Sequence, residues 1–228
     1  TWDYADLKEM CNMDAVKAFR DHALNPNNPA MRGSHENGDV FFQHREACNS
    51  VYDALPEVVR KYMAKINVKL GTNYDLFNYY GADDADRVIV AMGSFCDVAE
   101  EVVDYLNANG EKVGLIKVRL YRPWVSEAFL KVLPKTCKKL AVLDRTKEPG
   151  SLGEPLFLDV ATTLREANLC DVKLCGGRYG LGSKDTPPSS VFAVFTELAK
   201  DEPKARFTLG IVDDVTNLSL PEVKPAPI

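Results

Sequence analysis

The stretch from Arg87 to Arg145 constrains the fold of this chain more than any other feature. Apolar runs alternate there with longer amphipathic runs, in the order strand, helix, strand, helix, strand, and a polar or glycine-bearing break stands at each joint. This alternation is typical of a parallel sheet whose strands are connected by helices. The apolar runs are nearly continuous, which indicates strands that are buried on both faces. The sequence therefore predicts an α/β domain.

The same rhythm continues beyond Arg145 and predicts a mostly parallel sheet of five strands. The expected strands are Arg87–Ala91, Val113–Val118, Leu140–Leu143, Val172–Leu174 and Phe207–Ile211. The expected helices cover Glu100–Ala108, the region near Ser126–Val132, Pro155–Ala167 and Ser190–Ala199. Because crossovers between parallel strands are right-handed, helices should cover both faces of the sheet. The fold class predicted is a three-layer α/β/α sandwich.

Residues 1–80 lack this rhythm and are predicted to be mainly helical. Helices are expected over Asp3–Phe19 and Tyr52–Leu70, and Val40–Asn49 is an element whose type the sequence leaves open. The aromatic, turn-rich segment Gly71–Tyr80 is typical of a linker, and so is the proline-bearing tail from Val215.

Composition excludes several classes of protein. The chain has 228 residues, of which 46% are hydrophobic, and this is enough for one full-sized core and a smaller appendage. Its 28 basic and 33 acidic residues are not segregated, so no nucleic-acid partner is expected. No run approaches the roughly 20 apolar residues that cross a bilayer, so no membrane partner is expected either. Both ends are typical of cuts within a longer protein, and no secretory signal opens the chain.

The six cysteines and three histidines do not have the spacing of a metal site. No CxxC pair occurs, so neither an iron–sulfur cluster nor structural zinc is expected in this chain. The scattered cysteines are typical of reduced, mostly buried residues in a cytoplasmic protein. No metal-binding residue is predicted.

The first candidate site is the turn MGSFCD, Met92–Asp97, which follows the first strand. Gly93 permits a tight bend, and Ser94 is placed to cap the next helix through its hydroxyl group. Free amides at such a terminus can hold a phosphate or carboxylate, and Cys96 could have a lowered pKa there. The alternative is a plain cap with an ordinary cysteine, and this interpretation is favoured.

Two further loops carry cations. In YRPW, Arg122 could pair with a carboxylate across an interface, and an interface or structural role is favoured over a role in substrate binding. In LDRTKEPGSLGEP, Asp144, Arg145, Lys147 and Glu148 accompany Glu154 and two glycines. These residues could bind substrate or form a salt-bridged network between domains, and the network is favoured.

The glycine-rich segment GGRYGLGSKD, Gly176–Asp185, is the remaining candidate. It could cradle a phosphate through exposed amides, and the residues expected to contribute are Arg178, Gly180, Gly182, Ser183 and Lys184. It lacks the spacing of a P-loop, so a structural tight loop at a domain contact is favoured.

Taken together, these segments resemble the pyruvate:ferredoxin (flavodoxin) oxidoreductase family. Seven stretches carry the resemblance in the order of the family, namely NMDAVKAFRDHALNPNNPAMRG, FFQHREACNSVYDALP, NYYGADDADRVIVAMGS, GEKVGLIKVRLYRP, LDRTKEPGSLGEPLFLDV, GGRYGLGSKD and GIVDDVTNLSLP. The resemblance implies that 1–80 is the tail of the first, pyruvate-contacting domain. It likewise implies that 82–214 is the second domain, similar to the C-terminal domain of transketolase, and that 215–228 leads to the third domain.

The resemblance also implies cofactors and partners for the parent enzyme. That enzyme would use thiamine diphosphate, Mg²⁺ and [4Fe-4S] clusters, with CoA as a substrate, and would convert pyruvate to acetyl-CoA. Its partners would be its own remaining domains, a second copy in a homodimer, and ferredoxin or flavodoxin as acceptor. The family's diphosphate motif and cluster cysteines have no counterpart here, so no cofactor and no catalytic residue is assigned to this chain.

Three alternatives remain open from the sequence. The chain could be a stand-alone module that binds CoA or phosphate through Gly176–Asp185 and Gly93-Ser94. It could be a flavodoxin-like electron carrier, although the first strand lacks the Ser/Thr-rich phosphate loop of such carriers. It could also come from a related 2-oxoacid oxidoreductase that acts on another keto acid.

Overall fold

The chain divides into a helical unit, residues 1–72, and an α/β unit, residues 73–228. The computed structural model describes residues 2–31, 33, 35–213 and 215–223. No helix among these residues is both long and apolar enough to cross a membrane.

The helical unit contains four helices in its described part. They are α1 (Tyr4–Met10), α2 (Met13–Asp21), α3 (Gly38–Ala47) and α4 (Asn49–Leu70). The prediction of one helix over Asp3–Phe19 is wrong, because Asn12 begins a second one: its side-chain oxygen accepts a hydrogen bond from the amide of Ala15 at 3.1 Å. The segment of open type is helix α3.

These four helices bury no residue completely within this chain. Phe19 is 79% exposed and Phe42 is 70% exposed, although both are large apolar side chains. Lys69 of α4 forms ion pairs with Asp6 and Glu9 of α1, which joins the two helices through charge rather than through an apolar core.

The α/β unit is built on a sheet of six strands in the spatial order β1-β3-β2-β4-β5-β6. The strands are β1 (Phe77–Gly81), β2 (Arg87–Met92), β3 (Val113–Val118), β4 (Lys139–Asp144), β5 (Lys173–Arg178) and β6 (Arg206–Thr208). Strand β1 runs antiparallel to β3, and all other neighbours are parallel. The predicted mostly parallel α/β fold is confirmed.

Helices cover both faces of the sheet. They are α5 (Phe95–Ala108), α6 (Ser126–Val132), α7 (Pro155–Glu166) and α8 (Pro188–Ala199). Ile89 and Ala141 join a buried cluster with α5 and α8. Val88 and Val90 are equally buried but lie outside that cluster, since successive strand residues point to opposite faces. The indole of Trp124 donates a hydrogen bond to Thr163 of α7 at 2.8 Å on that second face.

Strands differ from the prediction by more than one residue at three places. Phe77–Gly81, expected to be linker, is strand β1, and its antiparallel pairing supplies the sixth strand. Strand β5 begins at Lys173 and runs through the glycines to Arg178, and β6 ends at Thr208 instead of Ile211. A short strand rich in glycine or placed at the sheet edge has little apolar pattern to reveal it.

Part of the segment expected to be a linker packs onto the unit, between Leu218 and Val223. Leu220 is 4% exposed, and its amide donates a hydrogen bond to the carbonyl of Thr208 at 2.9 Å. Further along, the amide of Val223 donates to the carbonyl of Ser189 at 3.2 Å. The rest of the predicted linker, 224–228, lies outside the described residues.

Candidate functional site

A cleft opens where the chain reverses its direction of progress across the sheet. From β2 the chain crosses to β3 on one side, and it then returns to place β4 on the other side of β2. The loops that follow β2 and β4 therefore diverge, and ligands of open α/β sheets bind at such a switch point. The cavity there measures about 680 Å³ and is lined by the loops after β2, β3, β4 and β5.

The loop after β2 forms one wall of this switch-point cleft. Gly93 has φ +75°, a left-handed conformation that a side chain would strain. Ser94 occupies the cap position of α5, but its hydroxyl makes no capping hydrogen bond, contrary to the predicted cap. Burial raises the pKa of the Cys96 thiol to about 11, which contradicts the hypothesis of a reactive thiolate.

The loop after β4 uses its first carboxylate inside the fold. Asp144 is 6% exposed, and its two side-chain oxygens accept hydrogen bonds from the amides of Leu156 at 2.9 Å and Phe157 at 3.1 Å. These amides open α7 and have no partner within that helix, so Asp144 caps α7 from the end of its neighbouring strand. Burial nonetheless raises the pKa of Asp144.

The loops after β4 and β5 are joined by two further contacts. Arg145 Nε donates to the carbonyl of Gly180 at 2.9 Å. Arg178 Nη1 lies 3.5 Å from Oε1 of Glu154, which is 3% exposed, and the amide of Glu148 approaches the same oxygen at 3.5 Å. The partners found here all belong to the α/β unit, and the network expected between domains stays a prediction.

The loop after β5 turns sharply because several residues adopt left-handed backbone conformations. Gly180, Gly182 and Ser183 have φ of +67°, +63° and +61°, within and beside a short 3₁₀ turn over Leu181–Ser183. A Cβ on Gly180 would lie 3.0 Å from Arg145 Nε, so this glycine also permits the contact between the two loops.

The structure divides the predicted site residues between two cavities. Asp144, Arg145, Ser183 and Lys184 line the switch-point cleft. A second cavity of about 260 Å³ is lined by Lys147, Arg178, Gly180 and, again, Lys184. Glu148 and Gly182 line neither of these two cavities.

Arg122 has its partner within the same unit. Its Nη1 lies 2.7 Å from Oδ2 of Asp159 on α7, and its guanidinium stacks over the ring of Tyr121 at 4.0 Å. The structure therefore gives Arg122 a structural contact inside the unit, one of the two roles that the sequence favoured.

Sequence reasoning missed the aromatic walls of the switch-point cleft. Phe95 and Tyr179 are buried, and their ring centroids lie 4.9 Å apart. Tyr121 lines the same cavity. Each residue stands in one of the loops that follow a parallel strand, and that position is the signal by which they could have been found.

The described residues offer no donor set for the metal groups implied by the resemblance. No group of three or more His, Cys, Asp or Glu side chains in this part of the chain could hold a metal ion. All six cysteines are described and free, and three of them, Cys96, Cys137 and Cys175, are buried. A [4Fe-4S] cluster takes four thiolates at one place, which this arrangement does not supply.

Comparison with known proteins finds a family that is similar to this unit. Residues 85–191 match the family described as pyruvate:ferredoxin oxidoreductase core domain II. The chain is 55% identical over 222 residues, 97% of its length, to pyruvate:ferredoxin oxidoreductase of Moorella thermoacetica. The chain is homologous to the core domain II region of pyruvate:ferredoxin oxidoreductases.

Other relatives of this core domain II region carry different names. Pyruvate-flavodoxin oxidoreductase of Enterobacter agglomerans is 53% identical over 219 residues, 96% of this chain. An NADP(+)-linked mitochondrial pyruvate dehydrogenase of Euglena gracilis is 46% identical over 224 residues, also 96% of the chain. The chain spans 19% of the length of the first two relatives and 12% of the third.

Proposed function

We propose that this chain is the segment of a pyruvate:ferredoxin or pyruvate:flavodoxin oxidoreductase that holds its second domain. The observation that carries the proposal is identity of 53% and 55% over almost the whole chain to two enzymes with these names. The parent enzyme would convert pyruvate, CoA and oxidised acceptor to acetyl-CoA, CO₂ and reduced acceptor. Residues 1–80 would close its first domain, and 215–228 would lead to its third.

Within that enzyme, the role of this segment is architectural. Two charged groups at the carboxyl ends of the strands are bound to the backbone of the same unit: Asp144 caps α7, and Arg145 holds the loop of Gly180. Groups committed in this way stabilise the loops. We assign thiamine diphosphate, Mg²⁺ and the [4Fe-4S] clusters to other parts of the parent chain, where they would supply carbanion stabilisation and electron transfer.

The helical unit supports the same role. Many of its large apolar side chains are exposed, and exposed apolar patches of this kind mark surfaces that other protein covers. We propose that the remaining domains of the parent chain, and the second copy in a homodimer, cover them. The free cysteines agree with a reducing compartment, and we place the parent enzyme in the cytoplasm.

The acceptor is selected outside this segment. The three relatives name ferredoxin, flavodoxin and NADP(+), yet their identity to this chain is 55%, 53% and 46%. If this segment contacted the acceptor, its sequence would have to differ between enzymes that use different acceptors, since each acceptor presents its own surface.

The test uses the full-length parent enzyme, purified without oxygen, together with this chain alone. We expect the parent enzyme to reduce a viologen dye only when pyruvate and CoA are both present, and we expect this chain alone to give no turnover. Turnover by the chain alone would contradict the architectural role. A parent enzyme that used a different 2-oxo acid and ignored pyruvate would contradict the assigned reaction.

A variant of the parent enzyme separates architecture from catalysis. Asp144→Asn should lower the thermal stability of the parent while leaving the KM values for pyruvate and CoA unchanged, because it weakens the cap of α7. Glu166→Gln, at an exposed position of the same helix, is the matched control and should change neither. A raised KM with unchanged stability would instead place Asp144 in substrate binding.

A further inference from the structure

We propose that the switch-point cleft binds a small organic molecule that carries a phosphoryl group, with Lys184 and Arg145 binding the phosphoryl oxygens. This proposal is independent of the proposed function: it concerns a site on the α/β unit alone and assigns it no part in pyruvate turnover.

The size and place of the cleft fit a ligand site. Its volume of about 680 Å³ falls within the range of roughly 300–1,000 Å³ that small-molecule pockets occupy. It lies at the carboxyl ends of β2 and β4, where the two directions of strand order diverge. Four separate loops converge on it, so side chains of several kinds can reach one bound molecule.

The charges that line the cleft favour an anion. Arg145 and Lys184 are exposed, and neither forms an ion pair with a carboxylate among the described residues. Two carboxylates also line the cleft. Asp144 has both oxygens bound to amides of α7, which leaves Asp185, an exposed residue, as the other negative group.

Arg145 is held in place for this task. Its Nε donates a hydrogen bond to the carbonyl of Gly180, and this bond orients the guanidinium. The two Nη atoms have no partner within the described residues. A fixed guanidinium loses little side-chain entropy on binding a phosphoryl group, and its paired N–H groups match the oxygens of phosphate.

Neutral donors complete the polar part of the cleft lining. The hydroxyl of Ser94 makes no capping hydrogen bond, and that of Thr146 stands beside Arg145 in the same lining. Ser94 also stands at the cap position of α5, whose first amides add positive potential on that side. Hydroxyl groups satisfy phosphoryl oxygens without adding charge.

The aromatic part of the cleft indicates that the ligand has an organic body. Phe95 and Tyr179 pack at 4.9 Å between ring centroids, and Met92, Val98 and Pro155 extend the apolar lining. Burial raises the pKa of the Tyr179 phenol to about 12, so this wall stays uncharged at physiological pH. An apolar wall beside an anion site favours a phosphate ester over inorganic phosphate.

The experiment is calorimetric titration of the full 228-residue chain with three probes: inorganic pyrophosphate, ADP and CoA. We expect saturable binding of all three, tighter for ADP than for pyrophosphate because the base and sugar contact the apolar wall. Lys184→Ala should weaken ADP binding about tenfold or more, since it removes one charge-assisted contact. Lys135 is an exposed lysine in the loop that leads into β4, at the amino ends of the strands and away from the cleft. Lys135→Ala is the matched control and should change the affinity for ADP by less than about twofold.

The relative affinities of the probes show which part of a phosphoryl-bearing ligand the cleft recognises. Affinity for ADP equal to that for CoA assigns recognition to the nucleotide, and tighter binding of CoA assigns part of it to the pantetheine arm. No saturation by any probe up to about 10 mM would overturn the proposal, as would binding that Lys184→Ala leaves unchanged. If ADP binds no more tightly than pyrophosphate, the assignment of an organic body to the ligand is overturned. None of these results depends on turnover by the parent enzyme.

Discussion

Arg145 donates a hydrogen bond from Nε to the carbonyl oxygen of Gly180 at 2.9 Å, and this contact joins the loops that follow two neighbouring strands. The two residues are 35 positions apart in sequence, yet β4 and β5 lie side by side and end at the same edge of the sheet. The left-handed backbone of Gly180 allows the guanidinium to approach, since a Cβ there would be 3.0 Å from Nε.

Replacing Gly180 with alanine should therefore destabilise the α/β unit by about 2–3 kcal/mol. About 1–2 kcal/mol of this comes from placing a side chain in the left-handed region, and the rest comes from displacing Arg145. Gly182→Ala is the matched control, because its φ is +63° but a Cβ there would meet nothing within 4 Å. The measurement is urea unfolding followed by circular dichroism, and equal losses for the two variants would contradict the expectation.

Asp144→Ala should destabilise the unit by roughly 2–4 kcal/mol, because it leaves the amides of Leu156 and Phe157 without their acceptor. Asp144→Asn should cost about half as much, since one carbonyl oxygen remains to accept a bond. Glu166→Ala, exposed on the same helix, should change the free energy of unfolding by less than about 0.5 kcal/mol. Thermal unfolding of the three variants checks the order, and an alanine variant as stable as the control would refute the capping role.

Five of the six cysteines should divide into two groups by reactivity. Burial raises the pKa of Cys96 and Cys175 to about 11 and that of Cys137 to about 12, so these thiols stay protonated and covered near neutral pH. Cys11 and Cys170 are exposed. An aromatic disulfide reagent at about pH 8, followed by peptide mass mapping, should modify Cys11 and Cys170 quickly and the three buried thiols only after unfolding. Rapid modification of Cys96 in the folded chain would restore the reactive-thiol hypothesis.

Glu197 of α8 should make stability depend on acid pH. Burial by itself would raise the pKa of this carboxyl, but hydrogen bonds from Lys200 Nζ at 2.6 Å and the amide of Lys204 at 2.8 Å outweigh it and hold the pKa below its ordinary value of 4.5. Since the folded state binds the proton more weakly than the unfolded state, this contribution is present above about pH 4.5 and is lost as the pH falls.

The matching variant is Glu197→Gln, which should lower stability at pH 7 by about 1–3 kcal/mol. Its stability should also fall less steeply than that of the parent sequence between pH 6 and pH 3. Glu166→Gln removes the same charge from an exposed position of α7 and should follow the parent curve. Parallel curves for Glu197→Gln and the parent sequence would show that the carboxylate contributes no pH-dependent stability.

Much of the sheet could be predicted from the sequence. Strand β3 lies where the apolar run Val113–Val118 placed it, and the bounds of β2 and β4 differ from the prediction by no more than one residue at either end. These strands are buried on both faces, so their side chains form continuous apolar runs that local pattern reveals. Strand β1 was missed because it pairs with β3 at the edge of the sheet, where one side stays open and the pattern of burial is mixed.

Several residues of the candidate site could be predicted from the sequence, but their contacts could not. The sequence singled out Asp144, Arg145, Arg178, Gly180 and Lys184, but it did not indicate that Asp144 would cap α7. The favoured ionic network between domains stays a prediction, and the contacts found among the described residues join two loops of one unit. The sequence did not indicate that Tyr179 forms part of the site, because the ring that it contacts, Phe95, is distant in sequence.

The sequence by itself determined the α/β class, most of the strands and the family to which the unit is homologous, because burial pattern and motif order are local properties of the chain. Tertiary structure alone decided which charges remain available. Strand order brings the loops of β2, β4 and β5 to one edge, where Asp144 is committed to α7 while Lys184 keeps no carboxylate partner among the described residues. Such pairing depends on distances between residues far apart along the chain, and no local pattern encodes those distances.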